Sequence, residues 1–148
     1  MGYFALLNQR KRSIVLDLKS DTVLEVLHRL LADADVLITN MRHQALSRLT
    51  ILPASLVQRH PSLIVLSLTG FGLTNAGPDT NRGGLAPVAK ALSGTTSLTR
   101  DREGRATWCG FALGEIIARM TAHSAILLAM RQRDLTGQGR LIDSRSMS

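Results

Sequence analysis

The chain has 148 residues, of which 45% are hydrophobic and 20% are charged. This length and composition predict one globular domain with a sizeable core. The net charge of +7 favours an anionic partner, whether nucleic acid, a membrane surface or a phosphorylated cofactor, and charge alone does not choose among them.

Two features narrow the class of protein. The single cysteine excludes an internal disulfide and a CxxC site, so we expect a reducing, cytoplasmic location. No apolar run reaches the ~20 residues that a membrane span needs, and we expect no membrane contact. One Tyr and one Trp offer few rings for stacking on bases, which argues against a nucleic-acid partner.

The first half of the chain alternates short apolar runs with amphipathic segments, as α/β folds do. Residues 13–18 are mostly apolar with β-branched members and predict a buried strand. A helix capped by Ser20 or Asp21 follows, and residues 36–38 predict a second strand parallel to the first. Short helices are predicted next, the second of them opened by Pro53.

The second half begins with another predicted buried strand at residues 63–68. The glycine-rich loop 69–84 comes next, at the place where parallel sheets bind ligands, outside the carboxyl ends of their strands. A helix is predicted after Pro87, and a long helix over residues 113–133. The apolar positions of the long helix are broad enough to predict burial on more than one side.

Common catalytic motifs are missing from the sequence, including the Walker, HExxH, GxSxG and GxGxxG patterns. The four histidines show no metal-ligand spacing, so we expect no metal site. Five segments instead form an ordered set. They are LNQRKRSIVLDL at 7–18, ADVLITN at 34–40, SLTGFG at 67–72, AKALSG at 89–94 and LTGQG at 135–139.

In this order the five segments resemble the class III CoA-transferase family, which includes formyl-CoA transferases, carnitine CoA-transferases and acyl-CoA racemases. The resemblance implies an α/β fold with a partial, doubly wound, Rossmann-like parallel sheet, the large domain of that family. Members are usually more than twice this length. We therefore expect residues 1–148 to be a partial large domain of a truncated member, without the N-terminal βα segment and the second domain.

The resemblance also implies a coenzyme A site. The segment that contains Asn8, Lys11 and Arg12 matches the one that lies along the nucleotide, where the two cations would pair with phosphates. Asn40 and Met41 match the adenine side, and Arg48 matches a basic residue near the phosphates. Without the resemblance, the basic segment reads as a solvated turn before a strand.

The family's nucleophile is an aspartate at the start of a long helix, and the matching position here is Glu115. In the family, that carboxylate attacks an acyl-CoA thioester to form a mixed anhydride, and CoA thiolate attacks the anhydride in turn. A glutamate can do this chemistry, but the extra methylene moves the attacking oxygen by about an ångström, which can cost ~10²-fold in rate. The alternative is a plain acidic residue in a helix's first turn, where the helix dipole favours it.

Gly70, Phe71 and Gly72 match the glycine loop that approaches the reacting end in the transferases, although a plain turn after a strand needs the same glycines. Leu85 and Ala86 replace the family's aromatic or His residue and its acidic neighbour, so we do not expect racemisation by the family's route.

Three functional hypotheses follow. The first is a CoA-transferase that moves coenzyme A between carboxylic acids, weak or inactive as an isolated chain, with acyl-CoA and an acid as substrates and no metal. The second is an inactive CoA-binding remnant or a subunit of a split enzyme, and the third is a small basic nucleic-acid-binding protein. Uncovered apolar surface on a part-domain predicts a homo-oligomer or a complementing chain.

Overall fold

A computed structural model describes residues 2–73, 94–107, 110 and 113–145 of the chain. The described elements comprise six helices and three strands. In chain order they are α1 (Tyr3–Leu7), α2 (Asp21–Ala32), β1 (Val36–Thr39), α3 (His43–Arg48), α4 (Pro53–Arg59), β2 (Ile64–Thr69), α5 (Thr95–Leu98), α6 (Leu113–Thr136) and β3 (Leu141–Arg145). The helix predicted after Pro87 lies outside the described residues.

The three strands form one parallel sheet with β2 in the centre. Val36 of β1 is in register with Ile64 of β2, and Val65 of β2 is in register with Leu141 of β3. The central strand has four successive buried residues, as expected for a strand of a parallel sheet that is covered on both faces. The predicted α/β class and parallel sheet are confirmed.

One face of the sheet carries the main apolar core. Its buried members come from α2, α3, α4, β2 and the connections beside them, and they are Leu31, Leu46, Ile51, Leu56, Leu63, Val65 and Leu73. Side chains alternate along a strand, so Ile64 and Leu66 point to the opposite face. The long helix α6 packs against β2 and β3 there, through the buried alanines Ala118, Ala122 and Ala129. The sheet is therefore covered on both faces.

The predicted strand at residues 13–18 is wrong. This segment has no regular structure, and Ile14 and Val15 are 61% and 94% exposed. A strand needs a neighbour for its backbone N–H and C=O groups, and no described residue pairs with this segment. Leu18 alone packs against the core and anchors the end of the segment.

The long helix is confirmed, with α6 running from Leu113 to Thr136. Its predicted burial on more than one side is wrong, because only the alanine side meets the sheet. The side chains of Ile117, Met120 and Leu128 are all more than half exposed, on the other sides of the helix. Among the described residues, α6 is also long and apolar enough to cross a membrane by length and composition, a property that core helices of soluble proteins share.

A tight turn joins α6 to β3. Gly137 has a φ of 72°, in the left-handed region, and its N–H donates to the carbonyl of Arg133 at 2.7 Å. The Gly139 N–H donates to the carbonyl of Pro61 at 2.7 Å, next to the start of β2. Arg133 forms an ion pair with Asp35 at 2.9 Å, just before β1. The C-terminal end of α6 thus lies at the amino ends of the strands, and the helix runs antiparallel to them.

Candidate functional site

The carboxyl ends of the three strands meet at one edge of the sheet. Asn40 and Met41 follow β1, residues 70–72 follow β2, and Arg145 ends β3. A helix of 24 residues is about 36 Å long and the strands are less than about 20 Å, so α6 also carries Glu115 to this side of the sheet. The sequence predicts that ligands bind at this edge. Because the three strands are parallel, their carboxyl ends lie together there.

The loop at residues 70–72, here called the glycine loop, is held by specific contacts. The Gly72 N–H donates to Oγ1 of Thr69 at 2.9 Å, and Gly72 has a φ of 91°. A Cβ at Gly72 would lie 2.5 Å from Nε of Arg145. The left-handed backbone conformation favours glycine there, and a larger residue would also displace the Arg145 side chain. Phe71 is half-buried beside it.

The basic segment presents its cations to solvent. Nζ of Lys11 donates to Oδ1 of Asn8 at 3.3 Å, and Nδ2 of Asn8 donates to the carbonyl of Phe4 at 3.0 Å. Arg10 has a φ of 61°, in the left-handed region, and turns the chain between Asn8 and Lys11. Lys11 and Arg12 are exposed and form no ion pair among the described residues. Both charges are available to an anion.

The residues predicted for the adenine side lie after β1. The Met41 N–H donates to Oγ1 of Thr39 at 3.2 Å, and the Met41 side chain packs against the main core. Asn40, which lies between Thr39 and Met41, is exposed. Arg48 is also exposed, in the last turn of α3. Met41 therefore fixes the direction of the chain while Asn40 faces solvent.

Glu115 lies in the first turn of α6, where the helix dipole stabilises a negative charge. Its side chain is partly buried, and its Oε2 atom is buried without a hydrogen-bond partner in the part of the chain that the structure describes. Buried polar atoms are nearly always hydrogen-bonded, because an unpaired one costs free energy. Oε2 of Glu115 is therefore an unsatisfied acceptor within the described part of the chain.

The structure brings some of the predicted residues together and leaves others apart. Asn8 and Lys11 are in contact, and the glycine loop is continuous. No hydrogen bond or ion pair among the described residues joins Arg48 to Lys11 or Arg12. Two residues that the sequence reasoning missed contact the glycine loop, and both lie on the unpredicted strand β3. They are Asp143, which accepts from Leu73, and Arg145.

The sequence offers one signal for this pair. The glycine turn at residues 137–139 follows a long helix and precedes the apolar pair Leu141 and Ile142, which indicates where a further strand begins. Leu85 and Ala86, where the family has its aromatic or His and acidic residues, lie outside the described residues. No group of three His, Cys, Asp or Glu suited to a metal ion occurs within the described ranges.

A second polar cluster lies away from this edge, in an open groove of about 400 Å³. Nδ1 of His28 and Nε2 of His60 are 3.0 Å apart, and the two rings stack with centroids 5.3 Å apart. Burial lowers the pKa of His28 from its ordinary value of 6.5, and the charges of Arg59 and His60 lower this pKa further. His28 is therefore neutral in the folded chain at neutral pH.

This histidine pair predicts a pH dependence of stability. The folded-state pKa of His28 lies below 6.5, so the unfolded chain binds the proton more tightly. The contribution of neutral His28 to the stability of the folded chain is present above pH 6.5. It is lost as the pH falls through the folded-state pKa of His28. We expect the free energy of unfolding to decrease between pH 7 and pH 5, and His28→Gln to reduce this decrease in urea titrations. His123→Gln, at an exposed position, should keep the wild-type slope, and an equal slope for His28→Gln would contradict the prediction.

Comparison with known proteins defines the class of this chain. The sequence model of CoA-transferase family III matches residues 1–148. The chain therefore belongs to CoA-transferase family III, and the resemblance read from its five segments is confirmed.

Named relatives and a solved structure agree with this family. The chain is 34% identical over 142 residues to succinate–glutarate CoA-transferase of Agrobacterium fabrum, covering 96% of this chain and 35% of that protein. It is 31% identical over 141 residues to formyl-CoA:oxalate CoA-transferase of Streptomyces avermitilis, covering 95% and 34%. A CAIB/BAIF family protein from Brucella suis superposes with a TM-score of 0.82 at 33% identity, covering 93% and 36%. The chain thus spans about a third of the length of these relatives.

Proposed function

We propose that this chain is the CoA-handling part of a class III CoA-transferase and that Glu115 is its nucleophile. The carboxylate attacks the carbonyl carbon of an acyl-CoA thioester, the C–S bond breaks, and CoA leaves as the thiolate. The acyl group remains on Glu115 as a mixed anhydride. The CoA thiolate then attacks the Glu115 carbonyl of the anhydride, the bond to the donor carboxylate breaks, and the donor acid leaves while CoA is held as a thioester on Glu115. The acceptor carboxylate attacks this thioester and releases the thiolate, which then attacks the acceptor's carbonyl in the new anhydride, so that acyl-CoA of the acceptor forms and the Glu115 carboxylate is restored.

The observation that carries this proposal is the state of the Glu115 carboxylate. It stands at the start of a long helix, at the edge of the sheet where the strands end, with one oxygen buried and unpaired among the described residues. Hydrogen bonds withdraw electron density from an oxygen, so an oxygen that accepts none is more nucleophilic than one that is hydrogen-bonded. The state of Glu115 supports the proposed role for this reason.

The exposed cations predicted for the site suit the nucleotide of coenzyme A. Lys11, Arg12 and Arg48 are exposed and form no ion pair among the described residues, and each can offer charged donors to phosphate oxygens. Family membership favours coenzyme A over nucleic acid as the anionic partner. In this proposal Asn40 and Met41 lie beside the adenine, and the glycine loop faces the thioester.

A second candidate rests on the identity of residue 115. The family resemblance implies an aspartate at this position, where the chain has a glutamate. The longer side chain favours a chain that binds coenzyme A without turnover. This candidate keeps Lys11, Arg12 and Arg48 as the binding residues and gives Glu115 no covalent role.

An exchange experiment separates the two candidates. The folded chain is incubated with succinyl-CoA and isotopically labelled free CoA, and the label in succinyl-CoA is measured over time. A nucleophilic Glu115 predicts that label enters succinyl-CoA without any acceptor acid, because the labelled CoA thiolate attacks the succinyl carbonyl of the anhydride. Saturable CoA binding without exchange would support the binding-only candidate and contradict a nucleophilic Glu115.

The proposal extends to partners and location. The outer sides of α6 expose Ile117, Met120 and Leu128, an apolar surface that an additional chain or a second copy would cover. A cytoplasmic location, where acyl-CoA and free acids occur together and a lone cysteine stays reduced, is part of the same proposal. Concentration-dependent sedimentation of the chain would test the association.

A further inference from the structure

Asp143 joins the last strand to the glycine loop. It lies on β3 in register with the buried Ser67 of β2, so the two side chains share one face of the sheet. The Leu73 N–H donates to Oδ1 and Oδ2 of Asp143, at 3.0 Å each. The Asp143 side chain is only 18% exposed. A backbone N–H that donates to a largely buried carboxylate makes a stronger bond than one that donates to a neutral acceptor.

This contact holds one end of the glycine loop, and Thr69 holds the other. The Gly72 N–H donates to Thr69 within the same connection, whereas Leu73 is tied to a residue 70 positions away in sequence. Nη2 of Arg145 lies 3.9 Å from Oδ2 of Asp143, and the Arg145 side chain occupies the space beside Gly72. Asp143 therefore holds the backbone at the end of the loop and lies near the side chain that packs on it.

We infer that Asp143 is a positioning residue that sets the glycine loop where the acyl thioester binds. This inference rests on the proposed function. In this role the carboxylate acts through the backbone of Leu73 and takes no part in the reaction itself. Loss of the contact frees residues 70–72 to move, and displacement of a positioning group by about 1 Å is enough to slow a reaction substantially.

The test uses the whole ¹⁵N-labelled chain, with acetyl-CoA as the probe, and compares wild type with Asp143→Ala and Asp143→Asn. Asp134→Asn, which changes an exposed carboxylate on α6, is the matched control. In Asp143→Ala we expect the Leu73 amide to exchange with solvent roughly tenfold faster, while Val65 and Leu66 in the sheet keep their protection. Asparagine retains an acceptor oxygen, so Asp143→Asn should give an intermediate rate.

Acetyl-CoA supplies the readout that a purely structural role would not change. At equal saturation, judged from the resonances of Lys11 and Arg12, the Gly70 and Gly72 resonances should shift in wild type and Asp143→Asn, and shift less in Asp143→Ala. Should Asp143→Ala fail to fold, the Leu73 exchange rate of Asp143→Asn carries the test, and a wild-type rate there overturns the inference.

The remaining outcomes separate this inference from the proposed function. A response at Lys11 with none at the glycine loop, or equal loop shifts in Asp143→Ala and wild type, overturns the positioning role alone. A folded wild-type chain that shows no response to acetyl-CoA at any residue overturns the proposed function, and the positioning role with it.

Discussion

Replacing Glu115 by aspartate is expected to raise the rate of CoA exchange by ~10²-fold over the wild-type chain. The family resemblance implies an aspartate nucleophile at this position, so we expect the shorter side chain to return the attacking oxygen to the place for which such a site is arranged. Glu115→Ala should reduce exchange to the uncatalysed background, because it removes the only group proposed to carry the acyl chain. Label transfer from free CoA into succinyl-CoA measures all three proteins under the same conditions.

Two controls test whether the change in exchange rate is specific to the chemistry of Glu115. Glu103→Asp changes an exposed glutamate in the turn before α6 and should leave exchange unchanged. Binding of CoA to Glu115→Ala should stay within about twofold of wild type, since the carboxylate is proposed to react with the thioester and not to bind the nucleotide. Wild-type exchange rates in Glu115→Ala would contradict the nucleophilic role.

Gly139→Ala is expected to destabilise the chain by about 3 kcal/mol, the largest effect on stability that we predict. A Cβ at this position would overlap the backbone carbonyl of Leu63, and that carbonyl belongs to the entry of the central strand and has no room to move. The Gly139 N–H also bonds to Pro61, so a shift of the turn would break that hydrogen bond. Thermal unfolding should show a midpoint lower by roughly 10 °C.

The neighbouring glycine provides a matched comparison. Gly137 has a φ of 72° but open space around its Cβ position, so Gly137→Ala should cost only about 1 kcal/mol, from backbone conformation alone. Gly2→Ala, which has neither constraint, should have no effect. Equal midpoints for Gly137→Ala and Gly139→Ala would contradict the close approach of the turn to β2.

Much of the fold was predictable because local sequence determines it. The strands β1 and β2 are continuous apolar runs with β-branched residues, and Pro53 opens α4 as predicted. Residues 13–18 have the same apolar character, yet a strand also needs a pairing neighbour, which sequence alone does not supply. The strand β3 was missed because its two apolar residues are followed by the polar Asp143, Ser144 and Arg145, and its place is set by pairing with β2.

The residues of the candidate site were predictable from the sequence, but their contacts were not. Lys11, Arg12, Arg48 and Glu115 follow from the family resemblance, and the structure places the cations in solvent and Glu115 at the start of α6. The unpaired oxygen of Glu115 and the contact between Asp143 and Leu73 depend on three-dimensional packing. No sequence pattern reports a contact between residues 70 positions apart, so these features emerged only from the structure.

Calorimetric titration of the folded chain with coenzyme A tests the central claim most directly. We expect saturable binding that weakens about tenfold in Lys11→Ala and in Arg12→Ala, since each variant removes a charged donor to phosphate, while Arg131→Ala on the exposed side of α6 binds as wild type does. A folded chain that does not bind coenzyme A, or that loses equal affinity in Arg131→Ala, would contradict the account.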